Sequence, residues 1–323
     1  MWGPHSPALG LDNLWHPYIK LSTQAEEMIS TVAVAGATGN IGIPIVEQLL
    51  AANFSVVVLS RSDNPSNLPA GVTVRKVDYD SVPSLTAALR GVDAVVSAVS
   101  DAALAGQTKL IDAAVAAGVR RFLPSEFGND VQHPAVRALP LYAPKIAVEA
   151  HLKKASAESG LTYTLVSTGP FLDWGLQSGF LLGPLKERQA EIFDGGKKLF
   201  SATNVATIGR GVVAVLRHLE QTKNRTVYFH EAAVSQAKLL RIAKELTPGE
   251  EWTVTERKVS DLKAEADAKM AKGIFDAGLA VALIRYSLYG EGFDPVLKNL
   301  DNELLGVDLL SDEELRAVVK SAL

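Results

Sequence analysis

The stretch Thr31-Val-Ala-Val-Ala-Gly36-Ala-Thr-Gly39-Asn-Ile-Gly42-Ile-Pro-Ile-Val-Glu-Gln-Leu-Leu50 runs from an apolar, β-branched segment through a glycine turn into a helix pattern. Glycines at every third position let the chain turn sharply, open its amides to a pyrophosphate and bring helix close to strand. A glycine triplet alone marks many turns. Its place between a strand and an amphipathic helix is what reads as a dinucleotide fingerprint. Gly36, Thr38, Gly39, Asn40, Ile41 and Gly42 are therefore the expected phosphate contacts.

Beyond this stretch, short β-branched runs alternate with longer helical ones. Val32–Ala35, Ser55–Ser60, Val72–Val77, Asp93–Ala98, Arg121–Pro124 and Thr162–Ser167 read as strands. Ile41–Ala52, Ser84–Arg90, Leu104–Ala117 and Lys145–Ser159 read as helices, the middle two stopped by Gly91 and Gly118. Continuously apolar strands between helices predict an α/β fold, a doubly wound parallel Rossmann sheet covered on both faces. Right-handed crossovers then give the strand order 3-2-1-4-5-6. After Phe171 the alternation loosens. Thr226–His230 and Trp252–Thr255 read as strands there, and Gln236–Leu246, Val259–Ala271, Phe275–Tyr289 and Ser311–Ser321 as helices. The expected division is an extension over 1–29, a dinucleotide-binding domain over 30–168 and a smaller C-terminal α/β substrate lobe over 169–323.

The bulk numbers exclude several classes. The 323 residues are 47% hydrophobic and 21% charged, an ordinary globular composition. A net charge of −4 with interspersed signs offers nucleic acid no basic face. With no cysteine there is no disulfide, thiolate metal site or cysteine nucleophile. The six histidines, His5, His16, His133, His151, His218 and His230, lack ligand spacing, so no metal is expected. No apolar run reaches the ~18–20 residues of a membrane span. Residues 1–29 show neither helical nor strand period nor a signal-peptide order; they read as a disordered or loosely docked extension, with Met28 a natural start. A cytoplasmic protein, monomer or homodimer, is the expectation.

The second strand ends Leu59-Ser60-Arg61-Ser62, ~20 residues past the glycines, where NAD enzymes carry an acidic residue for the ribose 2′-hydroxyl. A guanidinium at Arg61 suits the 2′-phosphate instead, with Ser62 adding a hydroxyl. The expected cofactor is NADPH/NADP, although Asp63 lies close and a solvated strand-end arginine is the plainer reading. Ligands of open parallel sheets bind beyond the carboxyl ends of the strands. Ser97-Ala-Val99-Ser100, Pro124-Ser125-Glu126-Phe127-Gly-Asn129 and Ser167-Thr-Gly169-Pro170-Phe171 should converge there. Nicotinamide is expected near Ser97, Val99 and Phe127. Ser125, Glu126, Tyr142, Gly169, Pro170, Phe171 and Trp174 are expected around a small-molecule substrate.

Pro144 fits the first helical position. Lys145 then enters the first turn, where the positive dipole end and partial burial disfavour its ammonium form. Such a lysine is a usable general acid/base within reach of the cofactor; the plain alternative is a snorkelling surface side chain. Tyr142 and Lys145 fall one residue short of the Tyr-x-x-x-Lys spacing of short-chain dehydrogenases, so Tyr142 reads as a pocket or packing residue. Glu126 reads equally as a ligand contact or a turn-capping carboxylate, and His133 as a solvated loop residue. Asp194-Gly-Gly196 reads as a turn between two short strands.

These residues together resemble the NmrA-like, isoflavone-reductase-like branch of atypical short-chain dehydrogenases. The likeness rests on Gly36-x-Thr-Gly39-x-x-Gly42, Arg61, Gln107, Ala113–Arg121 and Phe122-Leu-Pro-Ser-Glu-Phe-Gly128, with Lys145 on the family's catalytic lysine. It spans about residues 30–320 and loosens over the last hundred. The resemblance implies an oxidoreductase using NADPH, a lysine general acid/base and hydride transfer to a phenolic or other conjugated small molecule. Val131–Leu141 and Phe171–Pro184 match no one named reductase, so a microbial secondary-metabolite substrate is equally compatible. An NADP(H)-sensing regulator without turnover is the rival, against which Lys145 speaks. An epimerase-like enzyme is disfavoured by the missing Tyr-x-x-x-Lys.

Overall fold

A computed structural model describes Gly3 and residues 28–323. The extension reading of residues 1–29 lies, but for Gly3, Met28 and Ile29, outside the described residues. The β-branched runs form β1 (Thr31–Ala35), β2 (Ser55–Ser60), β3 (Thr73–Lys76), β4 (Ala94–Ser97), β5 (Arg121–Leu123) and β6 (Thr162–Ser167). Between them lie α1 (Gly42–Ala51), α2 (Val82–Leu89), α3 (Gln107–Ala117), α4 (Pro134–Arg137) and α5 (Ala143–Glu158). Residues 104–106, read as the start of the helix over Leu104–Ala117, belong to a separate 3-10 turn over Asp101–Gly106 ahead of α3.

All the strands of the main sheet are parallel, in the order 3-2-1-4-5-6 with one more beyond β6. That seventh strand comes from the second half of the chain, so the sheet is wider than the sequence reading drew it. The remaining elements are α6 (Leu172–Gln177), β7 (Gln189–Phe193), β8 (Phe200–Ala202), α7 (Val205–Arg217), α8 (Leu219–Thr222), β9 (Arg225–Tyr228), β10 (Ala232–Val234), α9 (Gln236–Leu246), β11 (Thr253–Arg257), α10 (Val259–Ala271), α11 (Ala277–Tyr289), α12 (Asn302–Leu305) and α13 (Asp312–Ser321). The added strand is β9, paired with β6.

Period-two alternation assigns the strand residues to two cores. Val32, Val34, Val56, Val58 and Val96 bury against Ile45 and Leu49 of α1 and Ile208 and Val212 of α7. Ala33, Val57, Leu59, Val95 and Phe122 face Leu85 of α2, Leu110 and Ile111 of α3 and Val148 and Leu152 of α5. Each such valine, leucine, isoleucine or phenylalanine contributes about 1.5–3 kcal/mol on burial, which is why the layers form together. A third core joins α6, β7, β8, α9, α10, α11 and α13 through Leu172, Phe193, Phe200, Leu239, Leu262, Tyr289 and Val319.

Asp194–Gly196 does sit between two strands, but they do not form a hairpin. β7 pairs in parallel with β11 and β8 pairs antiparallel with β10. Residues 205–228, counted above with the substrate lobe, return to the main sheet: α7 packs on α1 and β9 extends the sheet. Among the described residues no helix is long and apolar enough to cross a membrane.

Candidate functional site

The glycine turn is built by close approach. A Cβ on Gly42 would lie 2.1 Å from the Gly36 carbonyl oxygen, and one on Gly36, whose φ is +76°, would lie 2.4 Å from that of Ala98. Gly39 N–H donates to Gly36 O at 3.1 Å and Ile43 N–H to Gly39 O at 3.2 Å. The N–H groups of Asn40, Ile41 and Gly42 find no acceptor among the described residues. Ile41, at the helix cap, offers no side-chain oxygen, and the first turn of α1 has no acidic residue. The positive end of α1 is thus left open to an anion. Thr38, Gly39 and Asn40 are exposed above it.

Beside the turn, Ser97 ends β4 opposite Ala35. Its side chain is fully buried and its Oγ has no hydrogen-bond partner. An orphaned buried hydroxyl costs about 1–3 kcal/mol, an expense a ligand at that point would remove. Ser97, the Gly36–Gly42 turn and the bare N-terminus of α1 together fit a dinucleotide.

Arg61 is exposed at the end of β2 and makes no ion pair or hydrogen bond among the described residues. It opens on a cleft of about 530 Å³ with Lys76, Asp78, Tyr79 and Ser84. Asp63 does not oppose it directly, because its carboxylate pairs with Lys76 at 2.7 Å. Ser62 Oγ accepts from Asn64 N–H at 3.3 Å, so it braces its own turn. Tyr79 donates to Leu59 O at 3.0 Å; burial pushes its hydroxyl up to about 12, against the pull of Arg61.

A chain of contacts leads from the glycine turn to Lys145. Gly36 abuts Ala98 and Val99. Val99 O accepts from Ser125 Oγ at 2.8 Å, and Ser125 N–H donates to Gln107 Oε1 at 2.9 Å. Next in sequence, Glu126 O accepts from Lys145 Nζ at 2.5 Å, and the Glu126 carboxylate lies 3.8 Å from the same nitrogen. The side chains are only 13% and 8% exposed. Lys145 is therefore no snorkelling surface residue. Burial pushes the Glu126 carboxyl above its usual range, with Lys145 pulling it down and Glu149 pushing it up. As for turn-capping, Glu126 accepts no backbone N–H among the described residues; Ser125 and Gln107 hold the turn.

Phe127 follows with φ +28°, a backbone conformation that non-glycine residues avoid, and its ring is buried in the sheet core. Gly128 O accepts three donors, Thr168 N–H at 3.1 Å, Gly169 N–H at 3.0 Å and Ser167 Oγ at 2.9 Å. This clamp ties the crossover loop to the end of β6 and over-determines the strained turn. Gly169, at φ +66°, leaves no room for a Cβ, which would stand 2.2 Å from Ser201 O.

Tyr142 precedes α5 in a 3-10 turn, and α5 begins at Ala143, so Pro144 is the second helical residue rather than the first. The buried Tyr142 ring lies 6.0 Å from Lys145 Nζ. Its hydroxyl accepts from Asn129 Nδ2 at 3.0 Å, and Asn129 also donates to Ser287 Oγ of α11 at 2.6 Å. Asn129 and Ser287 were not among the expected site residues. Asn129 lies inside the quoted Pro124–Asn129 stretch, whereas Ser287, 158 positions later, carries no local signal. Phe171 and Trp174 are half-buried and meet edge to face at 6.2 Å, with Phe180 a further 6.1 Å from Trp174. They form an aromatic strip at the start of the lobe, next to the buried Pro170. No group of three or more metal-ligating side chains occurs among the described residues.

The sequence profile of the NmrA-like family matches residues 28–248. The chain belongs to the NmrA-like family. Among its relatives, oxidoreductase poxI of Penicillium oxalicum is 32% identical over 299 residues, covering 88% of this chain and 92% of its own. Oxidoreductase aprR of Aspergillus flavus is 35% identical over 302 residues, covering 91% and 100%. The fold matches leucoanthocyanidin reductase of Vitis vinifera, solved as a binary complex with NADPH, at TM-score 0.72 and 21% identity, covering 90% of this chain and all of that one. This NmrA-like chain thus shares its fold with that reductase over 90% of its length.

Proposed function

We propose that this NmrA-like protein is an NADPH-dependent reductase that passes hydride to a small conjugated substrate, with Lys145 as general acid/base. The observation that carries the reading is the sequestered Lys145 ammonium, joined through Glu126, Ser125 and Val99 to the glycine turn. Kinship with full-length oxidoreductases supports it. The reduced nicotinamide, when bound, supplies the hydride.

The chain's own residues do the rest. The open amides of Asn40, Ile41 and Gly42 would take the pyrophosphate, and Arg61 the 2′-phosphate. Ser97 would gain a partner for its hydroxyl. Lys145 Nζ has donors to spare after its bond to Glu126 O, and gives a proton to the substrate oxygen as charge develops there. Phe171 and Trp174 present ring faces and edges to an aromatic or conjugated body, and Tyr142 closes the floor beside Lys145. Residues 169–323 supply the substrate side, apart from the segment that returns to the main sheet.

The test is NADPH consumption with product mass analysis on a panel of conjugated phenolics, isoflavones and enones, run beside Lys145→Met. Turnover that falls about 100-fold or more in the variant, with NADPH affinity kept, is expected for a lost general acid. Unchanged turnover removes Lys145 from the mechanism. Tight NADPH binding with no turnover on any panel member transfers weight to a sensor.

A further inference from the structure

Glu126 presents two different oxygens to one lysine. Its main-chain oxygen accepts from Lys145 Nζ, and its carboxyl stands 3.8 Å from the same atom. The turn that carries it is held without its carboxyl, by Glu126 N–H on Pro124 O at 2.8 Å, by Gln107 on Ser125, by Ser125 on Val99 and by the three donors on Gly128 O. Among the described residues this carboxyl accepts no backbone N–H, and the group it faces is the Lys145 amine.

The other charges around it are already matched. Glu149, one turn after Lys145 on α5, accepts from Arg137 at 2.7 Å, Lys153 at 2.6 Å and Gln132 at 3.3 Å. Its repulsion and the pull of Arg137 both reach Glu126, but Lys145 alone is in ion-pair contact with it. Burial shifts the Glu126 carboxyl toward its protonated form, against the pull of the lysine 3.8 Å away, which suits it to exchanging a proton with the amine.

We propose that Glu126 is the positioning residue of Lys145: its main-chain oxygen aims the nitrogen, and its carboxyl recharges the amine after each turnover. This rests on Lys145 acting as the general acid. With a reduced nicotinamide bound to supply the hydride for the new carbon–hydrogen bond, the Lys145 ammonium would give a proton to the substrate oxygen that receives the displaced electron pair. The neutral amine then takes the Glu126 carboxyl proton, and the carboxylate left behind takes one from water. Over the cycle one hydride and one proton enter the product, and both side chains return to their starting states.

The coupling is measurable without a substrate. Protein carrying carbon-13 at the glutamate carboxyls is titrated by NMR, and the Glu126 resonance is the one that Glu126→Gln removes. Its midpoint is expected above the ordinary carboxylate range in the wild type. In Lys145→Met it should rise by a further ~1–3 units, because an opposite charge within about 4–6 Å has been withdrawn. Lys145→Arg keeps the cation and should restore the wild-type midpoint, which also covers a Met variant that folds poorly. A midpoint that ignores all three side chains overturns the proposal.

Kinetics separate the two claims. On the panel member that turns over, Glu126→Gln should lower kcat with little change in KM and abolish the pH dependence that this carboxyl imposes. If Lys145→Met stops turnover while Glu126→Gln leaves kcat and pH profile intact, Glu126 is only a packing residue and the general-acid reading stands. If turnover survives Lys145→Met, that reading fails and this one with it.

Discussion

Gly42→Ala tests whether the glycine turn is the cofactor cradle. The added Cβ would stand 2.1 Å from Gly36 O and 2.8 Å from Ala37 C and Cα, all backbone atoms. Ordinary contact begins near 3.4 Å, so the Gly36 carbonyl must retreat by roughly 1.3 Å, the difference between the two. Overpacking of this kind costs about 1–3 kcal/mol. The retreat also drags the bond from Gly39 N–H to Gly36 O and tilts the open amides of residues 40–42. Expressed wholly as lost affinity, that cost is a ~5–150-fold weaker Kd for NADPH. Gly118→Ala is the matched control: its φ is +75° but nothing lies within 4 Å of the new Cβ. It should cost ~1–2 kcal/mol of stability through the left-handed backbone alone and leave NADPH binding untouched. Calorimetric NADPH titration and thermal melts of both variants decide the matter. A folded Gly42→Ala protein that binds NADPH as the wild type does refutes the cradle, and equal weakening by Gly118→Ala refutes the local argument.

Arg61→Ala removes an unpaired guanidinium, so NADPH affinity should fall by roughly 10–150-fold, the ~1.5–3 kcal/mol of a charge-assisted contact, with NADH affinity steady; a parallel fall for NADH would place Arg61 outside the 2′-phosphate site. Arg121 is buried with Thr162, Thr164 and Thr222 hydroxyls and Leu219 O as its acceptors, and burial pushes its guanidinium down to about 10 despite Glu220. That depression from 12.5 costs about 3.5 kcal/mol at ~1.4 per unit, less than four charged-donor bonds return. Arg121→Met should therefore lose about 2–4 kcal/mol in urea unfolding, and an unchanged midpoint would mean that those bonds carry no net stability. Burial alone would raise the Glu149 carboxyl, but bonds from Lys153, Arg137 and Gln132 hold it below its usual 4.5. Its stabilisation is complete above that value and fades as pH falls through the lower folded value. Urea midpoints should thus decline below about pH 4.5, more steeply in the wild type than in Glu149→Gln; identical slopes would exclude Glu149 as a source.

The sheet was legible because β1, β2, β4 and β6 are short, apolar and rich in β-branched residues, and because most strands adjacent in sequence pair in space, the switch lying between β1 and β4. Helix α7 was not legible, and the reason lies in two residues. Val205-Ala-Thr-Ile-Gly-Arg-Gly-Val-Val-Ala-Val-Leu-Arg217 carries Gly209, Gly211 and four valines, which argue against a helix on propensity. Packing overrides this. A Cβ on Gly209 would lie 2.7 Å from Pro44 O and Gln48 Cγ of α1, and one on Gly211 2.4 Å from the Phe229 ring. The glycines are contact points between layers, not helix breakers. Likewise β8 and β10 are three residues each and, as strands, pair with each other, so neither has a period to read.

The site was legible as far as backbone direction reaches. The strand-end rule sends Ser97, Ser125–Phe127 and Gly169–Phe171 to one edge whatever their side chains do. It says nothing of which oxygen of Glu126 meets Lys145, since that depends on Phe127 holding φ +28°, and this depends on three donors converging on Gly128 O. Nor does it connect Asn129 to Ser287, because the path between them runs through the lobe's own packing. Under the proposed function the lobe would enter the site at that bond, and a substrate over Tyr142 would sit between sheet and α11. A change at Ser287 should therefore alter KM for the substrate before it alters kcat, while a change at Glu126 should do the reverse. That opposition separates a site assembled from both halves of the chain from one contained in the sheet edge alone.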